Sequence, residues 1–510
     1  MYSIRTFLLP EIIDLNRFLD ELYETFRITT INTENDLYIY YDTFDWRIYA
    51  AGLLLAQNRN ELQLSNLYTE TLIHREVVDP KQPVSFCRDI KNDAFREQLE
   101  KILSVRALLP IVIAERSYRT FVLSGKNNAS LGNILIDDST VISNQERYHM
   151  RTSIHCDFRK KKKKTITAFL QYIIRKGAYP DLLFKDILTS FLHSVNRHPE
   201  DYSSKIRVHL MPAMTSYDAT LIILRELFRI MRENVAGIIA DTDTEFLHDF
   251  RIAIRRTRTM LGQVKKIFPE QAVIVFQQLF SGLGTLTNTT RDLDICLLRE
   301  NHYCSLIPQN LHEGLKAFFT DVKLRREKER QQLIDWLKTD LDKVVFTPWE
   351  IFLASEKKGP NAAILIIDTA KKTILARYKK IIKKRNCLDA SSSDSELHQM
   401  RIECKKLRYL LEFFASLFPR KSISQLIRHL KKLQDVLGEY NDLRIQQNEL
   451  TEYIRTLTPS KKEVIQTAVA VGAVVSVITQ LKEETRLTIE PFLSEFFSSH
   501  TKKLFSRLFS

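Results

Sequence analysis

Glycine is scarce in this 510-residue chain, at 12 residues, and long stretches rich in Leu, Ile, Lys, Arg and Glu dominate instead. Few glycines and many helix formers argue against a largely β protein and favour helices. The six cysteines are scattered, with no CxxC pair and no metal-binding spacing. This pattern is typical of free thiols in a reducing compartment, so we expect a cytoplasmic protein.

The chain also lacks a clear targeting or membrane segment. Its first residues include acidic side chains where an export signal needs an apolar core, so none is expected. The longest uncharged run, residues 464–481, approaches the length of a membrane span. It contains two glutamines, two threonines and one serine. We therefore expect a buried helix of a bundle and no membrane partner.

Acidic residues are clearly outnumbered by basic ones only in the C-terminal part of the chain. Of the formal net charge of +14, residues 206–510 contribute +12, from 48 Lys and Arg against 36 Asp and Glu. Residues 1–205 hold 28 basic and 26 acidic residues. The length predicts two or three domains. The charge distribution predicts an anionic partner for the C-terminal one.

A long internal repeat is present in that basic part. The stretch "LHDFRIAIRRTRTMLGQVKKIFP" (247–269) aligns without a gap, at an offset of 150 residues, with "LHQMRIECKKLRYLLEFFASLFP" (397–419). N-cap signals, "DTDTEF" and "SSSDSEL", precede both copies. Further on, "RDLDI" matches "NDLRI" at the same offset. We predict two copies of one multi-helix unit, with Pro269 and Pro419 stopping the repeated helices.

Each repeated helix carries a basic stripe within an arc of about 80°. The stripes consist of His248, Arg251, Arg255 and Arg258 in the first copy, and His398, Arg401, Lys405 and Arg408 in the second. Arg256 and Lys406 widen them. Like charges four residues apart destabilise a helix by a few tenths of a kcal/mol. Among the stripe arginines, only Arg408 has an acidic residue, Glu412, three or four positions away. A solvated face is one interpretation, but a bound polyanion explains the repeat better.

The residue types favour phosphate over nucleic-acid bases. Arg forks and Lys bind phosphate oxygens, and a His can add charge near neutral pH. Apart from Tyr409, the stripes lack aromatic residues for stacking, and no nucleic-acid-binding signature is recognisable. Nucleic acid is therefore the less favoured partner.

These two motifs resemble the signature helices of the CHAD domain, the conserved-histidine α-helical domain, from about Tyr217 to Ser510. The resemblance implies two four-helix bundles related by a pseudo-twofold axis, with both stripes facing one channel that binds inorganic polyphosphate. All ten stripe residues would line it, and Arg377, Lys380 and Lys384 would either widen its mouth or stay solvated. Asp292 and Asp442, which follow the two histidines by 44 residues, are expected to be helix caps or ion-pair partners.

Residues 1–205 have a different sequence pattern, with short runs of β-branched and aromatic residues that are typical of strands. "MYSIRTFLLP" and "YYDTFDWRIYAAGLLL" resemble a CYTH domain, a β-tunnel that processes triphosphates with metal help. Its ExExK positions correspond here to Tyr2, Ile4 and Thr6, and its next basic pair to Ala56 and Asn58. Arg116 and Arg119 remain for weak anion binding. Without the carboxylates we expect no metal site and no catalysis.

The lysine run at residues 159–164 is interpreted as a solvated loop or strand edge, with anion binding as the alternative.

The sequence thus predicts an α+β chain with two domains. Residues 1–205 form a degenerate CYTH-like barrel or curved sheet, and residues 206–510 an all-α CHAD domain with repeats at about 217–350 and 361–510. The expected function is non-catalytic polyphosphate binding, without a cofactor, in the cytoplasm or on polyphosphate granules. A metal-dependent triphosphate or polyphosphate hydrolase and a general nucleic-acid-binding protein stay as alternatives.

Overall fold

A computed structural model describes residues 3–11, 13–79, 82, 84–125, 129–158, 164–180, 183–389, 392–458 and 462–510. Tyr2 and most of the lysine run, residues 159–163, lie outside the described residues. The chain divides into two units, Met1–Ser203 and Ser204–Ser510.

The first unit is built around an antiparallel sheet with helices packed on it. Its strands are β1 (Ser3–Leu8), β2 (Ile28–Asp42), β3 (Leu53–Asn58), β4 (Glu61–Asn66), β5 (Leu72–Val77), β6 (Leu109–Ser124), β7 (Ser130–Ser143), β8 (Glu146–His149), β9 (Ser153–Phe158) and β10 (Tyr179–Pro180). Its helices are α1 (Leu15–Thr25), α2 (Arg47–Ala50), α3 (Asp93–Leu103), α4 (Lys164–Arg175) and α5 (Phe184–Ser194).

The strand order is β10-β1-β9-β7-β6-β2-β3-β4-β5, with β8 beside β7. Alternating side chains of β7, such as Ile134 and Ile136, point into a core shared with Phe18 of α1 and Phe169 of α4. Within the described residues the path ends at β10 and at β5, which do not pair with each other. The predicted sheet is confirmed, as an open antiparallel path in that part of the chain.

The second unit is helical. Its helices are α6 (Ser216–Ile239), α7 (Thr244–Gln263), α8 (Glu270–Leu286), α9 (Asn288–Leu298), α10 (Glu300–Leu306), α11 (His312–Thr339), α12 (Thr347–Ala354), α13 (Ile366–Arg385), α14 (Asp394–Phe413), α15 (Arg420–Thr456), α16 (Lys462–Phe496) and α17 (Ser499–Phe509). A π-helical segment, Leu341–Phe346, connects α11 to α12.

Helix positions follow the 150-residue repeat of the sequence. Helices α6, α7, α8 and α11 begin at residues 216, 244, 270 and 312, and α13, α14, α15 and α16 begin at 366, 394, 420 and 462. The predicted N-caps are confirmed, because Asp243 accepts from the backbone N–H of Glu245 and Ser393 from that of Glu396. Helices α8 and α9 together correspond to the single helix α15.

The two prolines were expected to stop the repeated helices, and that prediction is wrong. Helix α7 ends at Gln263 and α14 at Phe413, whereas Pro269 and Pro419 are the residues just before α8 and α15. Proline has no N–H to contribute and a fixed φ, so it is well accommodated where a helix begins.

The two halves of this unit meet in a reciprocal contact. The N–H of Ser216 donates to the carbonyl of Ile364 at 2.7 Å, and the N–H of Ile366 donates to the carbonyl of Met214 at 2.9 Å. Between them Thr215 and Leu365 form an antiparallel bridge. The donors Ser216 and Ile366 are 150 residues apart, and so are the acceptors Met214 and Ile364, so each hydrogen bond is the counterpart of the other.

The apolar run predicted to be a buried helix lies in α16, which is only partly buried. Val471, Val474 and Ile478 pack against α11 and α15, whereas Ile465 and Val469 are each 53% exposed. Among the described residues this is the one helix long and apolar enough to cross a membrane, and 28% of its most apolar window is buried.

Candidate anion-binding cleft

The positions of the two basic stripes follow from the apolar residues of their helices. Phe250, Ile254 and Leu261 of α7 are buried at helical spacing, as are Met400, Cys404 and Leu407 of α14. With these residues packed in the core, the stripe residues project from another side of each helix. Helices α7 and α14 also contact each other, which brings the two stripes together.

A cleft of about 600 Å³, called here the central cleft, lies between the two repeated helices. Six of the ten stripe residues line it: Arg255, Arg258, His398, Arg401, Lys405 and Lys406. The other lining residues are Thr259, Gly262, Gln263, Gln277, Ile402 and Tyr409. No carboxylate is among the lining residues, so the wall of the cleft is positively charged.

Three of the cleft cations have no ion-pair partner within the described residues. The side chains of Arg255, Arg258 and Lys405 make no ion pair and no hydrogen bond there, and the Nε of Arg255 is buried without a partner. Burial, together with Arg401 and Arg255, lowers the pKa of Lys405 to about 7. The cleft therefore holds more positive charge than the surrounding protein neutralises.

In the second copy, His398 and Arg401 line the central cleft. The Nδ1–H of His398 donates to the Oδ1 of Asn441 at 2.7 Å, and a guanidinium nitrogen of Arg401 lies 3.5 Å from the carboxylate of Asp442. Burial lowers the pKa of Arg401. A Cβ at Gly438 would lie 3.9 Å from the Nε of Arg401, so the absence of a side chain there leaves room beside the guanidinium.

The first copy differs at the matching arginine. The guanidinium of Arg251 donates to the carbonyl of Gly284 at 3.1 Å, to the hydroxyl of Thr287 at 2.6 Å and to the amide oxygen of Asn288 at 2.7 Å. Burial and the nearby Arg255 lower the pKa of Arg251 to about 10. Asn288 stands where the second copy has Gly438, so Arg251 holds the α8–α9 junction instead of lining the cleft.

Three other stripe residues also lie off the cleft wall. Arg256 was expected to face the channel, but it is buried and donates to the carbonyl of Ser204 at 2.6 Å and to Glu412 at 2.9 Å. Arg408 also pairs with Glu412, at 3.4 Å, so the two arginines share one carboxylate. His248 is partly buried on α7 and is not among the lining residues.

Sequence reasoning missed the role of Glu403. This buried carboxylate on α14 accepts from Arg377 and pairs with Lys380 at 3.3 Å and with Lys406 at 3.4 Å. Burial works to raise the pKa of Glu403, but the three cations together lower it. Arg377 and Lys380 are therefore partly neutralised, while Lys384 makes no ion pair within the described residues.

Asp292 and Asp442 do not cap helices, because both lie inside them, in α9 and α15. Asp442 is the ion-pair partner of Arg401, in agreement with the second of the two roles expected for it. Burial raises the pKa of Asp292, against the opposing effects of Arg251 and Arg291.

In the first unit, Arg116 is occupied by internal partners. Its Nε donates to Asp137 at 3.1 Å, and another nitrogen donates to the hydroxyl of Tyr40 at 2.8 Å. Burial opposes its charge, yet Asp137 keeps the pKa of Arg116 above the ordinary value. Arg119, three residues on, is partly exposed. Among the described residues no group of three or more His, Cys, Asp or Glu is placed to hold a metal ion.

Comparison with known proteins identifies part of the chain. Residues 222–451 match the model of the CHAD domain family, which confirms the resemblance over that segment. A search of curated proteins found no match.

Several solved structures are similar to this chain, and two of them are as follows. The crystal structure of the CHAD domain from the plant Ricinus communis shares 22% identity at a TM-score of 0.47, covering 57% of this chain and 95% of that one. PptA from Streptomyces chartreusis shares 14% identity at a TM-score of 0.44, covering 55% of this chain and 100% of that one.

Proposed function

We propose that this chain, whose residues 222–451 form a CHAD domain, binds inorganic polyphosphate in the central cleft without hydrolysing it. One observation carries the proposal. Two helices that lie 150 residues apart in the chain supply six basic or imidazole side chains to one cleft, and no carboxylate lines it. Unpaired, partly buried cations are costly to a folded protein, so their presence is best explained by an anionic ligand.

The proposal includes the architecture that the family resemblance implies. In it, α6, α7, α8–α9 and α11 form one four-helix bundle and α13 to α16 form the other, related by a pseudo-twofold axis. The reciprocal hydrogen bonds of Ser216 and Ile366 support this relation, since an isologous contact is unchanged when its two copies are exchanged.

Each cleft residue has a role suited to its chemistry. The forks of Arg255, Arg258 and Arg401 suit pairs of phosphate oxygens, and Lys405 and Lys406 add compact charges. The Nε2 of His398 is left for the ligand, because Nδ1 is held by Asn441. Arg251, Arg256 and Arg408 position the helices and contribute longer-range charge, together with His248.

A phosphate chain fits this cleft better than a nucleic acid does. Tyr409 is the one aromatic residue in the lining, and it is 5% exposed, with the guanidinium groups of Arg256 and Arg408 over its ring. It therefore offers little face for stacking a base, and stacking provides much of the affinity of single-strand binders. A chain of phosphates without bases needs only the charges.

We propose further that the first unit is a degenerate CYTH-like domain without hydrolytic activity. The triphosphate chemistry of that family requires carboxylates for a metal ion, and the corresponding positions here are Tyr2, Ile4 and Thr6. The pairing of Arg116 with Asp137 supports the same conclusion, because it removes a cation that a phosphate would need. The free thiols fit a cytoplasmic location, on polyphosphate granules or free.

The proposal is tested by measuring the affinity of the full chain for long-chain polyphosphate. The triple variant R255A/R401A/K405A should bind at least about a hundredfold more weakly, since charge-assisted hydrogen bonds contribute about 1–3 kcal/mol each. The control R420A/R428A/K343A removes the same charges from exposed positions that make no ion pair within the described residues. Equal affinity of a folded triple variant and the wild type would refute the proposal.

A further inference from the structure

A second cavity adjoins the central cleft on one side. This cavity, called here the side groove, measures about 610 Å³ and lies between the C-terminal end of α7 and helix α13. It shares Gly262 and Gln263 with the central cleft, so these two residues form the border between the cavities. Its charged lining residues are Lys265, Asp368, Lys372, Arg377 and Lys380.

The side groove carries uncompensated positive charge. Lys265 and Lys372 are exposed and make no ion pair within the described residues. Lys380 and Arg377 share the carboxylate of Glu403. Asp368 is the one acidic residue in the lining, and it lies in the first turn of α13, where the helix dipole favours a negative charge. The cations outnumber the anions in the groove and at its border.

The border residues are small or neutral, which leaves a passage. Gly262 has no side chain, and a Cβ placed there would meet only the end of the Gln277 side chain, at 3.2 Å. Gln263 accepts a hydrogen bond from Arg377. A phosphate oxygen is a stronger acceptor for a guanidinium than a neutral amide, so an incoming phosphate can replace Gln263.

The matching route on the opposite side of the cleft is closed. At the 150-residue offset, Glu412 stands in place of Gly262 and Phe413 in place of Gln263. Glu412 is held there by Arg256, which in turn binds the carbonyl of Ser204. Glu412 has no hydrogen-bond donor to offer a phosphate, and the buried Phe413 leaves no neutral polar surface.

The lining of the side groove has no basic counterpart on that closed side either. At the same offset, Lys372, Arg377 and Lys380 correspond to Ile222, Leu227 and Ile230. Leu227 and Ile230 are buried in the core. These positions therefore offer no cation to a phosphate chain on that side of the central cleft.

We infer that a long polyphosphate leaves the central cleft on one side only, passing Gly262 and Gln263 into the side groove, where Lys265 and Lys372 hold its continuation. The inference rests on the proposed function of the central cleft. It makes the site directional, since a ligand short enough for the central cleft does not reach the side groove, and a longer one extends into it.

The test compares two probes, inorganic tripolyphosphate and a long-chain polyphosphate, on the full chain. The variant K265A/K372A should bind the long chain about tenfold more weakly at low salt, with a salt slope shallower by roughly 1.5, because two exposed contacts are lost. Its affinity for tripolyphosphate should be unchanged. The control K379A/K383A removes two exposed lysines of α13 that do not line the groove.

A second variant tests the passage itself. Gly262→Glu places at the border the residue found on the closed side, and Gly262→Ala controls for the added Cβ. Because Gly262 also lines the central cleft, the two probes are compared: G262E should weaken binding of the long chain more than binding of tripolyphosphate, whereas G262A should affect both probes alike. Circular dichroism and thermal unfolding verify that each variant is folded.

The outcomes separate this inference from the proposed function. Unchanged long-chain affinity in K265A/K372A, or a loss no larger than that of the control, would overturn the side route and leave binding in the central cleft intact. Equal losses for both probes would place the effect within the central cleft and would also overturn it. A wild-type chain that binds neither probe would refute the proposed function itself.

Discussion

Polyphosphate binding should depend on pH through Lys405. This ammonium group lies among Arg401 and Arg408 of its own helix and Arg255 of α7, and the carboxylate of Asp442 on α15 opposes their effect on its pKa. Burial and the arginines lower the pKa of Lys405 to about 7. A bound phosphate chain supplies the missing negative charge and should return the pKa towards the ordinary lysine value.

The size of the effect follows from the two protonation states. With a pKa of about 7, Lys405 in the free protein is about nine-tenths charged at pH 6 and about one-tenth charged at pH 8. If the bound form stays protonated, binding at pH 8 must take up a proton. The affinity should then fall about tenfold between pH 6 and pH 8, which is about 1.4 kcal/mol.

The matched variants are Lys405→Arg and Lys405→Met. The arginine stays charged at both pH values, so K405R should bind tightly with little pH dependence, and K405M should bind weakly with little pH dependence. Calorimetry in two buffers of different ionisation enthalpy measures the proton uptake directly. The same pH dependence and proton uptake in K405R and in the wild type would refute the role of Lys405.

The same group predicts a stability change of defined sign. Because the pKa of Lys405 is lower in the folded chain, the unfolded chain holds more protons between about pH 7 and pH 10.5, and stability rises with pH in that window. The cost of the buried ammonium is therefore largest below pH 7. K405M should raise the free energy of unfolding at pH 6 by up to about 5 kcal/mol, and by less at pH 9, as measured by urea denaturation.

Raising the salt concentration should weaken polyphosphate binding steeply, because binding releases counterions. The slope of log Kd against log salt concentration reports the number of phosphate contacts, and a flat slope would exclude binding by charge neutralisation. Arg251→Ala should lower the free energy of unfolding by about 1–3 kcal/mol with little loss of binding, whereas Arg255→Ala should weaken binding and leave stability unchanged or higher. Arg256→Ala should lower the free energy of unfolding by about 1–3 kcal/mol in urea denaturation, since it removes the donor to the Ser204 carbonyl and one of the two arginine partners of Glu412. With Mg²⁺ the full chain should release no phosphate from tripolyphosphate in a colorimetric assay, and clear release would contradict the non-catalytic proposal.

Local signals in the sequence predicted the helix starts well. An N-cap is decided by a side chain and a backbone N–H two or three residues away, so Asp243 and Ser393 could be recognised without a structure. The spacing of 150 residues between the copies also transfers directly into the positions of the helices. The N-caps can be recognised from short segments of the sequence, and the helix positions from the repetition of such segments.

Partners that are distant in the chain could not be predicted in the same way. Arg256 was assigned to the channel because it widens the basic stripe of its helix and matches the CHAD motif, yet its partners Ser204 and Glu412 are 52 and 156 residues away. Arg377 likewise binds Glu403, 26 residues away, and Gln263, 114 residues away. A search for charges within one helix cannot detect an ion pair that only the packing of several helices creates.

The largest difference between sequence and structure concerns the equivalence of the two copies. Their identical spacing predicted equal shares of the site, but α14 supplies His398, Arg401, Lys405 and Lys406 to the central cleft, and α7 supplies Arg255 and Arg258. The physical reasons are single substitutions between the copies. Asn288 engages Arg251 where Gly438 leaves Arg401 open, and Glu412 closes one route where Gly262 leaves the other open. A repeated order of helices thus carries an asymmetric charge pattern. Under the proposed function, this asymmetry allows the site to hold a linear anion with one end inside the central cleft and the other extending outwards.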